Sequence, residues 1–239
     1  MNLVGELMNS AHEKVFEEKA PISLRIARVG IFSSLYVVFT LIPVSKFIGG
    51  PGFITLNIIC PAMFSLLFPF KEALFIALIG GFLAGFVPTE AMFGLLWVFL
   101  PVTGVIIGSI VKMTFENAKV FTFVPLVFYG IIAYFYLRVH MAFPYWIIPH
   151  IVAGILVLLT AFMNVNRWRE VKRFVTAFNA TMGEQAAMLM IAVYVMNLPT
   201  EVFMIAFPLM AIWERLILGT LAATMITKVV ERRLKLKKH

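Results

Sequence analysis

The chain has 239 residues, of which 62% are hydrophobic and only 13% charged, and its mean hydropathy of +0.96 excludes an ordinary soluble domain, where roughly 25% of residues carry charge. Its net charge of +8 does not indicate nucleic acid as a partner, because Lys and Arg collect in short segments between apolar runs. The single cysteine, Cys60, excludes a disulfide framework, a cysteine-based metal site and a redox pair.

The apolar runs are too long for core strands and lack the period-2 alternation of a lipid-facing barrel. The expected fold class is therefore all-α, a polytopic integral membrane helical bundle. Residues 1–22 set Leu3, Leu7, Met8, Ala11 and Val15 at helical spacing among Glu6, Glu13, Lys14, Glu17 and Glu18, which predicts an amphipathic N-terminal helix lying on the membrane or on a partner. No signal-peptide pattern precedes the first long apolar run. Runs then follow at 26–44, 53–70, 73–88, 91–111, 120–137, 146–163, 183–198 and 202–229, most near the ~20 residues a span needs. They read as about eight spans in a bundle over 23–230, with six or seven open because the third and seventh are short. A basic tail, 231–239, closes the chain.

With the N-terminus inside, the inner segments hold Arg25, Arg28, Lys71, Lys112, Lys119, Arg167, Arg169, Lys172, Arg173 and the tail residues Arg232, Arg233, Lys235, Lys237 and Lys238, whereas the outer segments hold Lys46 and Arg138. The positive-inside rule then predicts a multi-pass protein of the cell membrane with both termini cytoplasmic.

Between the first two spans, the turn-rich loop 45–53 (SKFIGGPGF) can sit as a lid over a cavity or serve simply as a turn. Asn57 and Pro61 give the second span a polar edge, and Gly81 and Gly85 give the third a close-packing face. In the fourth, Glu90, Gly94, Trp97, Pro101, Gly104 and Gly108 share one face, which suits an interior helix or packing alone. Arg138, His140, Tyr145, Trp146 and His150 gather around the next outer turn, where aromatic and basic residues form an interfacial belt or line a site. His140 and His150 lack further ligands for a metal or haem. No HExxH, GxSxG or P-loop sequence occurs, so no catalytic residue, cofactor or metal is expected. Residues 164–178 separate Trp168, Val171, Val175 and Phe178 from Arg167, Arg169, Lys172 and Arg173, which predicts a helix along the cytoplasmic interface.

The last span carries Glu214 and Arg215 in an otherwise apolar run. At about 1.5 Å per residue, Arg215 lies about 21 Å beyond Glu201, well inside a ~30 Å hydrocarbon layer. Each charge there costs at least about 2.5 kcal/mol against lipid, so both must face protein or water, either fixing the packing or touching a ligand. At α-helical period Glu201, Met204, Pro208, Ala211 and Arg215 share a face. A shift of 111 residues also lays Pro199, Thr200 and Glu201 on Pro88, Thr89 and Glu90, and Gly219 and Thr220 on Gly108 and Ser109, suggesting an internal duplication of 23–112 in 119–230.

The first helix RIARVGIFSSLYVVFTLIP, the Gly-rich loop, the run ITLNIICPAMFSLLFPFKEALFIALIGGFLAGF and the end WERLILGTLAATMITK together resemble the substrate-binding (S) subunits of energy-coupling-factor (ECF) vitamin and micronutrient transporters. The resemblance implies a small molecule bound near the outer face beneath the first outer loop. It also implies that the first helix packs on a transmembrane coupling protein driven by two ATPase subunits. The family's small-xxx-small motif falls on Gly30 and Ser34, where alanines are usual, and the family has six helices rather than eight. The leading expectation is a solute-binding transporter subunit whose ligand meets Asn57, Glu90, Trp97, Tyr145, Trp146, His150, Glu201, Glu214 and Arg215. A self-sufficient carrier or channel built from two repeats, with Glu90 and Glu201 as ion or proton sites, and a structural subunit of a larger membrane complex are the alternatives.

Overall fold

A computed structural model describes residues 20–48, 52–88, 93–116, 119–163 and 168–236. The expected amphipathic helix up to residue 19, Glu90, Arg167 and the final residues of the basic tail lie outside the described residues. Prolines punctuate the helix starts, where a missing N–H has no helical partner to lose. Pro21 precedes α1 (Ile22–Thr40), Pro61 lies in the first turn of α2 (Cys60–Leu67), and Pro69 precedes α3 (Phe70–Ala84). A 3-10 turn, Gly94–Val98, runs into α4 (Phe99–Glu116), followed by α5 (Val124–His140) and α6 (Ile147–Ala161). The longest α-helix is α7 (Arg169–Tyr194), and the chain ends in α8 (Thr200–Phe207), a π-helical stretch (Pro208–Ala222) and α9 (Ala223–Leu236), which run on as one rod.

Among the described residues these make eight rods, five of them long and apolar enough to cross a membrane. The rods alternate in direction, so that the turns around Phe47, Phe93, Phe143 and Leu198 gather at one end. Large apolar side chains such as Ile22, Ile31, Phe75, Phe86, Ile131, Leu159 and Ile205 are exposed around the bundle, far more than a water-facing surface carries. One feature departs from a purely helical fold. The loop expected at 45–53 is flanked by a β-hairpin, β1 (Pro43–Lys46) antiparallel to β2 (Phe53–Thr55), pairing Ser45 with Ile54 and Lys46 with Phe53 across a bulge after Pro43.

A second correction concerns residues 168–178. They do not lie flat at an interface but form the first turns of α7, which crosses the middle of the bundle and is buried from Val175 to Ala186. Of the basic residues that suggested an interfacial helix, Lys172 Nζ donates to the Met163 carbonyl at 2.8 Å, and Arg169 and Arg173 pair with Glu231. Further along α7, Asn179 Nδ2 donates to the carbonyls of Val175 and Ala153, at 2.9 and 3.1 Å, and Thr176 Oγ1 donates to that of Lys172 at 2.9 Å. Tyr129 donates to the carbonyl of Asn179 at 3.0 Å.

Small residues let the other helices approach α7. A Cβ on Gly104 would meet the Ala180 carbonyl oxygen at 2.8 Å, and one on Gly108 would meet Ala180 Cβ at 2.7 Å. Gly219 of the π stretch faces Thr181 in the same way, at 2.6 Å. The stripe read from the fourth span therefore packs α4 against α7 and α2, and Gly81 and Gly85 likewise receive the Val98 to Pro101 segment and Gly94. Away from the hairpin, Arg25 pairs with Glu72 at 2.7 Å and Arg173 with Glu231 at 2.5 Å, tying α1 to α3 and α7 to α9.

This packing gives a direct contrast. Gly108→Val should overpack against Ser65 and Ala180 and lose about 1–3 kcal/mol, read as a lower thermal midpoint. Gly130→Ala, whose added Cβ meets nothing within 4 Å, should melt no earlier than the parent.

Candidate functional site

Pro208 opens the π stretch for a local reason. It removes an N–H from the helical ladder and crowds the carbonyl four residues back, which favours wider, i→i+5 turns. Within the stretch Thr220 Oγ1 donates to the carbonyl of Arg215, five residues earlier, at 2.7 Å. The widening re-phases the helix. At α-period, Glu201 and Arg215 would stand about 40° apart. Instead Arg215 joins the buried face of Phe203, Ala206 and Met210, while Glu201, Met204 and Pro208 are exposed. Glu201 therefore does not join the Arg215 site; it lies near His140 at the hairpin end.

Arg215 is 2% exposed and Glu214 0%, deep in the bundle. Arg215 Nη1 donates to Glu184 Oε2 of α7 at 2.6 Å, with Glu184 also only 2% exposed, and Nη2 lies 3.7 Å from Met188 Sδ. Glu214 turns to the hairpin, where Ser45 Oγ donates to its Oε1 at 2.5 Å. A link of 169 positions in sequence thus ties the hairpin to the last helix. Arg215 is thus paired with Glu184 while its neighbour Glu214 is held by Ser45, and Glu214 Oε2 and Arg215 Nε have no hydrogen-bond partner among the described residues. Buried polar atoms of this kind are costly, and a polar ligand group could satisfy both.

The other expected residues divide. Asn57 is buried in the 3-10 turn Leu56–Ile59, which packs on the π stretch; its Oδ1 accepts from Thr55 at 2.8 Å, leaving Nδ2 unpartnered among the described residues. His150 is fully buried within electrostatic reach of Arg215, with Nδ1 on the Trp146 carbonyl at 2.8 Å and Nε2 unpartnered among the described residues. Trp146 is buried and donates to the Phe203 carbonyl at 2.8 Å. Trp97 stands apart, donating to the Tyr36 hydroxyl at 3.1 Å and packing at a tilt on Phe93, which meets Phe47 edge-on. Tyr145 is not part of the site, since it is 52% exposed and contacts Phe143. Among the described residues no group of three His, Cys, Asp or Glu could hold a metal ion.

A small cavity of about 20 Å³, room for about one water, lies under the hairpin, walled by Phe47, Ile48, Trp146, Met188, Leu189, Ala192, Leu198, Val202, Phe203, Ala206 and Met210, all apolar. Glu184, Met188 and Ser45 were missed by sequence reasoning. The signal for Glu184 was the one that exposed Arg215, an ionisable residue inside an apolar run. Compared with known protein families, characterised proteins and solved structures, the chain matches none of them.

Removing Arg215 would strand Glu184 and Glu214 in the core. Arg215→Ala should therefore lose about 3–5 kcal/mol of stability, whereas Lys46→Ala, at an exposed position, should stay within about 0.5 kcal/mol. Equal melting temperatures for the two purified variants would contradict this.

Proposed function

We propose that the chain is a membrane-embedded small-molecule binding subunit of a transporter, which delivers its solute together with a transmembrane coupling protein and ATPase subunits. The carrying observation is the coincidence of an apolar cavity and a buried, incompletely satisfied charge cluster beneath one hairpin. Small-molecule sites are usually apolar clefts with a few convergent polar groups, and binding here would require the small cavity to widen toward that cluster. The position agrees with the resemblance to S subunits noted in the sequence. The solute would meet Trp146 and the hairpin at its body and the region of Asn57, His150, Glu214 and Arg215 at its polar end.

The face of α1 supports the partner. Gly30 and Ser34 are exposed, an added Cβ at Gly30 would meet nothing within 4 Å, and Ser34 Oγ folds back on the Gly30 carbonyl at 2.9 Å. That leaves a smooth helical surface on which another helix could pack closely. Lys and Arg gather at the end away from the hairpin, which supports placing that end and both termini in the cytoplasm of a cell-membrane protein. A second reading, a carrier that works alone, draws on Glu214, a buried acid with an unpartnered oxygen of the kind proton and ion pathways use. Uptake into vesicles by the purified chain alone would favour it.

Two experiments follow. Gly30→Leu with Ser34→Leu should abolish co-purification with a transmembrane or ATPase partner while the bundle stays monodisperse. An unchanged complex, or early melting, would count against docking at this face. In a Cys60→Ala background, single cysteines at Lys119 and Arg169 should resist an impermeant reagent added outside, and one at Lys46 should react. Outside labelling at Arg169 would reverse the topology.

A further inference from the structure

At the end of the bundle away from the hairpin, many basic side chains have an acid against them. Arg25 pairs with Glu72, Arg169 and Arg173 with Glu231, and Lys228 with Glu170 at 3.3 Å. Two lysines in the same region are arranged differently. Lys119 opens the 3-10 turn Lys119–Phe121 between α4 and α5, and Lys172 lies in the first turn of α7, yet the two are within electrostatic reach of each other. Neither has an ion pair among the described residues, and Glu116, exposed three positions before Lys119, pairs with neither. What holds them is neutral. Lys172 Nζ gives one of its N–H donors to the Met163 carbonyl and stands 5.1 Å from the centre of the Phe115 ring, and Lys119 Nζ stands 5.6 Å from that of Phe162. Rings and a carbonyl position an ammonium group but leave its charge in place. Two like charges are therefore held together without a counter-ion among the described residues.

We infer that Lys119 and Lys172 hold the phosphate of an anionic phospholipid at the membrane–water interface. The lysines supply the charge, and their surroundings give the reason that the anion is a lipid. Val120, Phe123, Phe162 and Trp168 are exposed on the same two turns, an apolar and aromatic rim that a soluble phosphate would leave in water and that acyl chains would cover. Tryptophan is enriched at headgroup depth. The turn is also set without the lipid, because Thr122 donates to the Lys119 carbonyl through both its N–H and its hydroxyl. One phosphate between the two ammonium groups removes their mutual repulsion, and each lysine near an anionic surface strengthens the attraction about fivefold. This end is the one proposed above to face the cytoplasm, where the leaflet carries acidic lipid. The inference is independent of the solute-binding role and needs only that these turns lie at a membrane surface.

Native mass spectrometry of the purified full chain in neutral detergent, offered equal amounts of phosphatidylglycerol and phosphatidylcholine, tests this. Phosphatidylglycerol adducts should exceed phosphatidylcholine adducts by about tenfold or more. Lys119→Gln, at an exposed position, should cut that preference about fivefold, and Lys119→Gln with Lys172→Gln should abolish it. Lys46→Gln with Lys71→Gln removes the same charge from two other exposed positions and should keep the preference, as should Lys119→Arg. Glycerol phosphate, the soluble headgroup, should not shift the thermal midpoint of the parent at concentrations where phosphatidylglycerol does. If Lys172→Gln fails to fold because the Met163 carbonyl loses its donor, Lys119→Gln alone decides. Equal retention of the two lipids, an unchanged preference in Lys119→Gln, or an equal loss in the Lys46 and Lys71 double variant would overturn the assignment. So would stabilisation by glycerol phosphate that matches the lipid's, since the ligand would then be a soluble anion.

Discussion

A guanidinium cannot be left in the middle of an apolar bundle without an acid against it, and much of this structure follows from where Arg215 finds one. Its partner Glu184 lies on α7, so α7 has to cross the core rather than skirt it. The approach that brings the two together depends on small residues: Gly219 against Thr181, and Gly104 and Gly108 against Ala180. The π stretch supplies the remaining condition, since α-helical turns from Thr200 onward would carry Arg215 out of phase with the buried face of Phe203 and Met210. Buried pairs contribute little net stability compared with apolar packing of the same volume. The solute site proposed above would account for their presence by what they offer a ligand.

The hairpin gives that offer a direction. Ser45 holds one oxygen of Glu214, Phe47 roofs the cavity, and Phe47 meets Phe93 edge-on, which in turn packs against Trp97. A displacement of the hairpin would therefore alter the roof of the cavity and the hydrogen bonding of Glu214 together. The opposite end of the bundle is held by largely buried ion pairs such as Arg25 with Glu72 and Arg173 with Glu231.

Much of this was legible in the sequence for one reason: charge in an apolar run is expensive. That rule located Glu214 and Arg215, and the glycine spacing of the fourth span located the helix facing α7. The rule failed where polarity had a second interpretation. Arg169 to Phe178 carries both charges and apolar residues, so it resembled an interfacial helix, and only the long-range pairing of Arg173 with Glu231 and the bond from Lys172 to the Met163 carbonyl show how such a sequence enters the core. Glu201 was placed on the same face as Arg215 by an α-helical count that the π stretch does not obey. Tyr145 and Trp146 are neighbours of similar chemistry, and which of them turns inward is decided by Phe203 and its carbonyl, a contact 57 positions away that no local pattern encodes.

The central claim is that a solute sits beneath the hairpin against this cluster. Native mass spectrometry of the chain released gently from its own membranes tests it most directly, with the parent and Ala206→Phe prepared side by side. A small-molecule adduct on the parent that is missing from the filled-cavity variant is the predicted result. An adduct retained equally by both proteins, or carried by neither, would contradict the account.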